Sequence, residues 1–144
     1  MIVLDIDQLE ENYITMNDPI KNNIITNGQF SYINYSTPWF SLNTIYIKMP
    51  FQNTIVFKTE DRVKISFAKK DNADLIQKIK LFEENILSVR KKDPQYKIAD
   101  YLQNENIIIY NKGNNYQDII LKISGIWETH NMCGLSFKLI LPIH

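Results

Sequence analysis

Residues 119–141 read IILKISGIWETHNMCGLSFKLIL, and apolar and polar residues alternate in both halves of this stretch. Successive side chains of a β-strand point to opposite faces, so each half has an apolar row and a polar row. Strands are therefore predicted at 119–127 and 135–141, with a turn at 128–134 between them. The stretch predicts a β-hairpin that packs one face on a core and exposes the other.

The alternation also predicts which residues of the hairpin face each other. If both apolar rows lie on the core side, Lys122 falls opposite Lys138 and Ser124 falls opposite Ser136. Like charges directly opposite each other destabilise an antiparallel pair, but an anion between them makes the arrangement favourable. A phosphate backbone is the commonest extended anion, so this polar row is a candidate phosphate-binding surface. Gly125 is expected to permit a bend in its strand or the close approach of another backbone.

The remainder of the chain reads as further strands around one main helix. Strand candidates cover residues 29–35, 44–49, 54–58, 62–68 and 107–110. A helix is predicted from a cap at Asp71 or Asn72 to about Lys91, because apolar residues recur there at spacings of three and four. Its apolar row is Leu75, Ile79, Phe82, Ile86 and Val89. The basic residues 90–92 are expected to complement the helix dipole, and a short second helix is predicted at 96–102.

This order of elements predicts a single domain, residues 1–144, that is mostly β with one main helix (α+β). It suits an OB-like Greek-key barrel, in which the helix lies between the third and fourth barrel strands. Residues 1–23 are expected to form an N-terminal arm or an extra strand. Other α+β sheets with a single packing helix share this order, and they remain open as alternatives. In an OB-like barrel, one curved face and its flanking loops bind oligonucleotides.

Outward-facing rows on the other strands also contain lysine or arginine, as the polar row of the hairpin does. Tyr46 and Lys48 alternate with apolar residues, and so do Arg62 and Lys64. Aromatic residues in or beside turns can stack on bases, an interaction that tolerates any base sequence. The predicted nucleic-acid-binding residues are Trp39, Tyr46, Lys48, Phe51, Arg62, Lys64, Lys122, Trp127 and Lys138, and further aromatic candidates are Phe40, Tyr110 and Tyr116.

The composition of the chain limits the classes of partner. Its 144 residues include 16 acidic and 16 basic side chains, so any positive surface must come from local clustering. The single Cys excludes an internal disulfide. No apolar run approaches the roughly 18 residues of a membrane span, which favours a cytoplasmic or nuclear protein without a membrane partner. Frequent Ile, Asn, Lys and Tyr are typical of AT-rich genomes, including those of many DNA viruses.

Residue types suited to catalysis or metal binding are few. His130 and Cys133 lie close in sequence, but a zinc site needs about four ligands and the chain has no second Cys. A metal-dependent nuclease would need acids such as Asp5, Asp7 and Asp61 to converge on one point. No catalytic residue, metal site or cofactor is therefore predicted, and the nuclease stays an alternative.

The pattern LKISGIWE at 121–128, followed after a short turn by GLSFK at 134–138, resembles the closing hairpin of a protein family. That family comprises small OB-fold single-stranded DNA-binding replication proteins of DNA viruses and virus-like selfish elements. The clear resemblance covers residues 119–141, and the region 46–51 resembles the family more loosely. The resemblance implies an OB-like fold, no cofactor, and cooperative or oligomeric binding to displaced strands.

Together these observations predict a non-catalytic, sequence-tolerant protein that coats single-stranded DNA during replication, recombination or repair. RNA as a second ligand and a homo-oligomer are both left open. One alternative is a structural or protein-interaction domain that uses the same outward rows to bind a partner or another copy. The other alternative is the metal-dependent nuclease.

Overall fold

The computed structural model describes residues 2–22, 28–110 and 118–142. Its helices are α1 (Ala73–Leu87) and α2 (Lys97–Leu102), with short 3-10 turns at Ile6–Gln8, Glu11–Tyr13 and Lys69–Asn72. Its strands are β1 (Ile14–Met16), β2 (Ile20–Asn22), β3 (Gly28–Ser36), β4 (Ser41–Leu42), β5 (Ile45–Lys48), β6 (Ile55–Lys58), β7 (Val63–Ser66), β8 (Asp93–Gln95), β9 (Asn106–Ile109), β10 (Ile120–Glu128) and β11 (Met132–Ile140). No helix in these ranges is long and apolar enough to cross a membrane.

Strands dominate the structure, and the predicted α+β class with one main helix is confirmed. The strands predicted from alternation are present close to their expected ends. The predicted hairpin is formed by β10 and β11, but its turn is shorter than expected because β11 already begins at Met132. Thr129 closes this turn by donating its backbone N–H to the Met132 carbonyl oxygen over 2.8 Å.

β10 is the central strand of a large sheet, and it changes its neighbour along its length. Its C-terminal half, 125–128, pairs with β3, whereas its N-terminal half, 120–123, pairs with β5. β11 follows the other edge of β10, and the short β8 extends the sheet parallel to β11. The short strands β1, β2 and β4 pair with β3. The large sheet is curled into a half-barrel.

The register of the β10–β11 hairpin is partly as predicted. Lys122 lies opposite Lys138, which confirms that pairing. Further along, a β-bulge places Ser124 between the paired positions, so that Gly125 lies opposite Ser136. The predicted pairing of Ser124 with Ser136 is therefore wrong, because alternation cannot reveal an extra residue in one strand.

Gly125 lies where β3 comes closest to β10. A Cβ at this position would overlap the backbone carbonyl oxygen of Ser31 and would lie 2.8 Å from the ring of Phe30. The expected close approach of another backbone is confirmed, and the adjoining bulge supplies a bend. This glycine thus marks the place where β10 exchanges one neighbouring strand for another.

A second sheet contains three antiparallel strands in the order β6, β7, β9. Its inner face shares one hydrophobic core with the large sheet and both helices. The apolar rows predicted from the sequence supply much of this core. Buried members of those rows are Ile45, Ile47, Met49, Val63, Ile65, Phe67, Leu75, Ile79, Phe82, Ile86, Leu121, Ile123, Leu135 and Leu139. The core therefore determines which face of each sheet is turned outward.

Helix α1 ends earlier than the sequence predicts. Its last residue is Leu87, and Val89 is 75% exposed, so the predictions that the helix continues past this point and buries Val89 are wrong. Arg90 and Lys92 each form an ion pair with the buried Glu128 of β10, with N–O distances of 3.2 Å. These basic residues bind the chain to β10 after the helix has ended, and none of the residues 90–92 lies in the last turn of α1, where the sequence predicts them.

Glu83 of α1 fastens the two helices together. It is fully buried, and its carboxylate accepts the backbone N–H groups of Ile98 and Ala99, each over 3.0 Å. These donors lie in the first turn of α2, where N–H groups have no acceptor inside the helix. Burial raises the pKa of Glu83 above its ordinary value of 4.5, and the two hydrogen bonds oppose that rise.

The N-terminal residues form both an arm and short strands. Leu4 makes a parallel bridge with Ile47. Its N–H donates to the Tyr46 carbonyl oxygen over 2.8 Å, and its carbonyl oxygen accepts the Lys48 N–H over 2.9 Å. The chain then pairs with β3 through β1 and β2. The arm therefore covers the edge of β5 that β10 leaves free.

Candidate functional site

The face of the large sheet that is turned away from the core is called the outer face, and it carries Phe30, Tyr32, Tyr46, Lys48, Lys122, Trp127, Ser136 and Lys138. One row of this face crosses three strands. Tyr46 of β5 lies beside Lys122 of β10, which lies beside Lys138 of β11. Lys138 is exposed, while Tyr46 and Lys122 are half-buried. Three of the predicted residues are thus brought into one line.

Aromatic residues occupy the neighbouring rows of the outer face. Trp127 of β10 lies beside Phe30 of β3, and the next pair along the two strands is Gly125 with Tyr32. The rings of Phe30 and Tyr32 meet edge to face, with centroids 4.9 Å apart. Tyr32 is 48% exposed. Aromatic and basic side chains therefore share one surface.

Glycines beneath two of these rings hold them against the sheet. A Cβ on Gly134 would lie 2.5 Å from the indole of Trp127, so the indole occupies the space above that glycine. The Phe30 ring occupies the corresponding space above Gly125. Rings packed over glycines in this way have their orientation set before any ligand binds, which lowers the entropic cost of binding.

Phe30 and Tyr32 are absent from the residues predicted from the sequence. The signal was present, because Phe30, Tyr32 and Asn34 alternate with Ser31, Ile33 and Tyr35 along β3. Both rows contain an aromatic residue, so composition alone does not show which row faces outward. Pairing with β10 decides the question, since Tyr32 lies beside Gly125 of the outer face while Tyr35 is buried.

The electrostatics of the basic row favour an anionic ligand. Among the described residues, neither Lys122 nor Lys138 forms an ion pair with a carboxylate. Directly opposite side chains have Cβ atoms about 4.5–5.5 Å apart, so the two ammonium groups repel each other in the free protein. An anion that binds between them removes this repulsion.

Lys48 extends the basic surface along β5. It lies on the same strand and the same face as Tyr46, and it lines two surface grooves. The larger groove, of about 430 Å³, lies between β5, the N-terminal arm and the start of α1. The other, of about 410 Å³, is lined by residues that include Pro50, Phe51 and Asp118. Lys48 thus lies where the outer face meets these grooves.

Arg62 and Lys64 belong to a different surface. Both are exposed, but Lys64 lies on the three-stranded sheet, between Phe57 of β6 and Ile108 of β9. Arg62 directly precedes β7 in the same sheet. Alternation correctly indicates that these basic side chains are exposed, but it cannot show that they lie on a separate sheet from Lys122.

Trp39 lies at the tip of the hairpin that joins β3 and β4, and it is 83% exposed. The Thr37 hydroxyl orders this tip by accepting the backbone N–H groups of Trp39 and Phe40, over 3.1 and 3.2 Å. Phe51, by contrast, packs on the core residue Phe67, with ring centroids 4.6 Å apart. Phe51 therefore serves first as a core contact, whereas Trp39 has its indole in solvent.

Two residues considered for chemistry lie in or beside the turn of the β10–β11 hairpin. Cys133 is fully buried, and this burial raises the pKa of its thiol, which keeps the thiol protonated. His130 is exposed in the turn.

Of the further aromatic candidates, Tyr110 is exposed after β9, and Tyr116 falls outside the described residues.

The acids of the nuclease alternative lie at two places. Asp5 and Asp7 line the larger groove. There Lys78 pairs with Asp7 at 3.0 Å and with Asp74 at 2.9 Å. Asp61 lies in the turn between β6 and β7. Within the described ranges, no group of three or more His, Cys, Asp or Glu residues is arranged to hold a metal ion.

The outer face combines ammonium groups that repel one another with aromatic rings held against the sheet. These groups suit a flexible ligand that carries repeated negative charges and flat apolar faces. None of the protein-family models, curated proteins or solved structures compared with this chain matches it.

Proposed function

We propose that this protein binds single-stranded DNA without sequence preference and that the outer face of the large sheet is its binding surface. The observation that carries the proposal is the line of Tyr46, Lys122 and Lys138 beside the aromatic residues of β3 and β10. The lysines neutralise phosphates, and the rings stack on bases. No catalytic step is required of this surface.

The chemistry of the outer face favours a single strand over a duplex. A duplex hides the flat faces of its bases, whereas a single strand exposes them to rings such as Tyr32 and Trp127. Stacking and phosphate contacts carry little base information, which accounts for the proposed sequence tolerance. Neither contact requires or excludes a 2′-hydroxyl, so RNA of the same length belongs in the same binding experiment.

The proposal includes an OB-like arrangement of the fold, with α1 between the third and fourth barrel strands. Three features support it. The large sheet is curled, β10 changes its neighbour from β3 to β5, and α1 separates the strands β3–β7 from β9–β11 in the chain. In OB folds a curved face of the sheet binds oligonucleotides, in keeping with a site on the outer face.

The first test measures phosphate contacts through salt dependence. Fluorescence anisotropy with labelled oligo-dT, at several salt concentrations, gives the slope of log affinity against log salt for the wild type and for Lys122→Ala/Lys138→Ala. Loss of two phosphate contacts is expected to reduce the magnitude of this slope by about 1.4 and to weaken binding at low salt. Lys80→Ala, on the solvent side of α1, also removes a charge and is expected to leave the slope unchanged.

Two outcomes of these measurements would contradict the proposal. If wild-type protein does not bind oligo-dT at low salt, the protein is not a single-stranded DNA-binding protein. If it binds but Lys80→Ala and the double lysine variant lose affinity equally, the outer face is not the site. Duplex DNA and oligo-U of matched length complete the series and establish the preferred nucleic acid.

The second test measures stacking at Tyr32, whose half-exposed ring can be removed without opening the core. Tyr32→Ala is expected to weaken oligo-dT binding by roughly 5- to 150-fold, because each base stacked on an aromatic ring contributes about 1–3 kcal/mol. Tyr32→Phe keeps the ring and is expected to bind like the wild type. Equal affinities for all three proteins would show that no base stacks there.

A further inference from the structure

The strand β6 forms an edge of the three-stranded sheet, and its outer side pairs with no other strand in the described parts of the chain. All four of its residues are exposed. Three of them are large and apolar, and Ile55 and Phe57 are 61% and 62% exposed. Edge strands expose backbone N–H and C=O groups, and monomeric proteins usually protect them with charges, prolines or bulges. β6 has one such residue, Lys58, at its end.

The solvent side of the three-stranded sheet carries apolar residues on both edge strands, with a lysine between them. Phe57 lies opposite Lys64 of β7, which lies opposite Ile108 of β9, so these three side chains form one row on the solvent side. Ile55 lies on the same side, two residues from Phe57. The exposed apolar side chains are thus concentrated at the β6 edge, beside Lys64 and Ser66 of β7, and this surface does not belong to the outer face of the large sheet.

We propose that β6 pairs antiparallel with β6 of a second copy of this chain, about a two-fold axis at Val56. This pairing joins two three-stranded sheets into one of six strands. It places Ile55 opposite the partner's Phe57, and the symmetry repeats that contact. Aromatic and β-branched residues directly opposite each other stabilise antiparallel strands.

Apolar pairing and charge together favour this register over the alternatives. With the axis at Val56, Lys58 lies opposite the partner's Thr54, so the two lysines stay apart. An axis at Lys58 would place the lysines directly opposite each other, which is destabilising. An axis at Phe57 would keep one apolar pair, Phe57 with the partner's Phe57, but would place Ile55 opposite the partner's Thr59 and Val56 opposite the partner's Lys58.

The small size of the contact makes the dimer weak. One strand from each copy, with the adjoining side chains, forms an interface in the class below about 1,200 Å². Such interfaces give transient complexes, so the mass measured by light scattering after size exclusion should rise with protein concentration. This proposal does not depend on nucleic-acid binding, since the two surfaces lie on different sheets.

Cysteine crosslinking tests both the partner and the register. The natural Cys133 is buried, so a new thiol on β6 is the accessible one among the described residues. In the proposed register Val56→Cys faces its own symmetry mate, with a Cα separation of about 4.5–5.5 Å that suits a disulfide. Mild oxidation is therefore expected to give a covalent dimer of Val56→Cys. Lys58→Cys lies away from its mate and is expected to remain monomeric.

A second variant pair tests the interface without oxidation. Ile55→Lys introduces a charge at the edge and is expected to abolish the rise in mass with concentration, while Val89→Lys alters another exposed apolar residue, away from β6, and leaves it unchanged. Monomeric wild type at all concentrations would overturn the proposal. Faster crosslinking of Lys58→Cys than of Val56→Cys would also overturn it. So would loss of oligo-dT affinity in Ile55→Lys without a change in mass, because the surface would then bind DNA.

Discussion

Glu83→Ala is expected to lower the free energy of unfolding by about 2–4 kcal/mol, because two buried backbone N–H groups lose a charged acceptor. Those groups, from Ile98 and Ala99, open helix α2, which has no side-chain cap of its own. Urea denaturation followed by circular dichroism measures the change. Glu84→Ala removes the neighbouring carboxylate, which takes no part in the contact, and is expected to have a much smaller effect. Equal losses for both variants would contradict the role of Glu83.

The same residue gives the stability a defined dependence on pH. Burial, the largest influence on Glu83, raises its pKa above 4.5 in the folded protein, so the folded state binds this proton more tightly than the unfolded state does. Stability contributed by the protonated carboxyl is therefore present below pH 4.5 and is lost as the pH rises through the raised pKa.

The side chain introduced by Glu83→Gln does not titrate. Comparing this variant with the wild type therefore isolates the contribution of Glu83 to the pH dependence of stability. As the pH rises through that window, the difference in unfolding free energy, wild type minus Glu83→Gln, is expected to fall. Parallel stability curves for the two proteins would show that Glu83 has the same pKa in the folded and unfolded states. Comparing the two proteins at each pH removes the contributions of all other titrating groups they share.

Gly125→Val is expected to cost about 3 kcal/mol or more, because its Cβ would overlap the backbone of Ser31 and strands β3 and β10 would have to separate. Backbone cannot move aside as a flexible side chain can. Ser124→Val, at the adjacent bulge position, introduces the same side chain next to the glycine and is expected to be tolerated better. Thermal unfolding measures both, and similar melting temperatures would show that β3 can yield at this point.

The positions of the strands with four or more residues, and the faces of several of them, could be predicted from the sequence because alternation depends only on local order. Ile45 and Ile47 are buried and Lys48 is exposed, as the pattern requires. The pairing of Lys122 with Lys138 followed from the same rule applied across a turn. The alternation of neighbouring residues does not reveal the bulge at Ser124. The bulge lies where β3, a distant part of the chain, approaches Gly125.

The candidate site was predictable only in part, for the same reason. Each lysine could be assigned to an outward row, but only strand pairing shows that Lys64 and Lys122 lie on different sheets. The sequence also did not distinguish the aromatic residues that pack on the core from those that face outward. Phe51 follows Pro50 at a strand end like a loop residue, yet it packs on Phe67, while Tyr32 of β3 reaches the outer face.

The position of β10 near the C-terminal end of the described chain has a consequence for how the protein folds. Gly125 pairs with Tyr32, and Ile120 with Lys48, so the large sheet joins segments that are far apart in the sequence. Contacts of this kind slow folding, because the entropy of closing a long loop is lost before the contacts form. On the ribosome, β3 and β5 remain without their central neighbour until β10 has emerged, and the large sheet assembles only then.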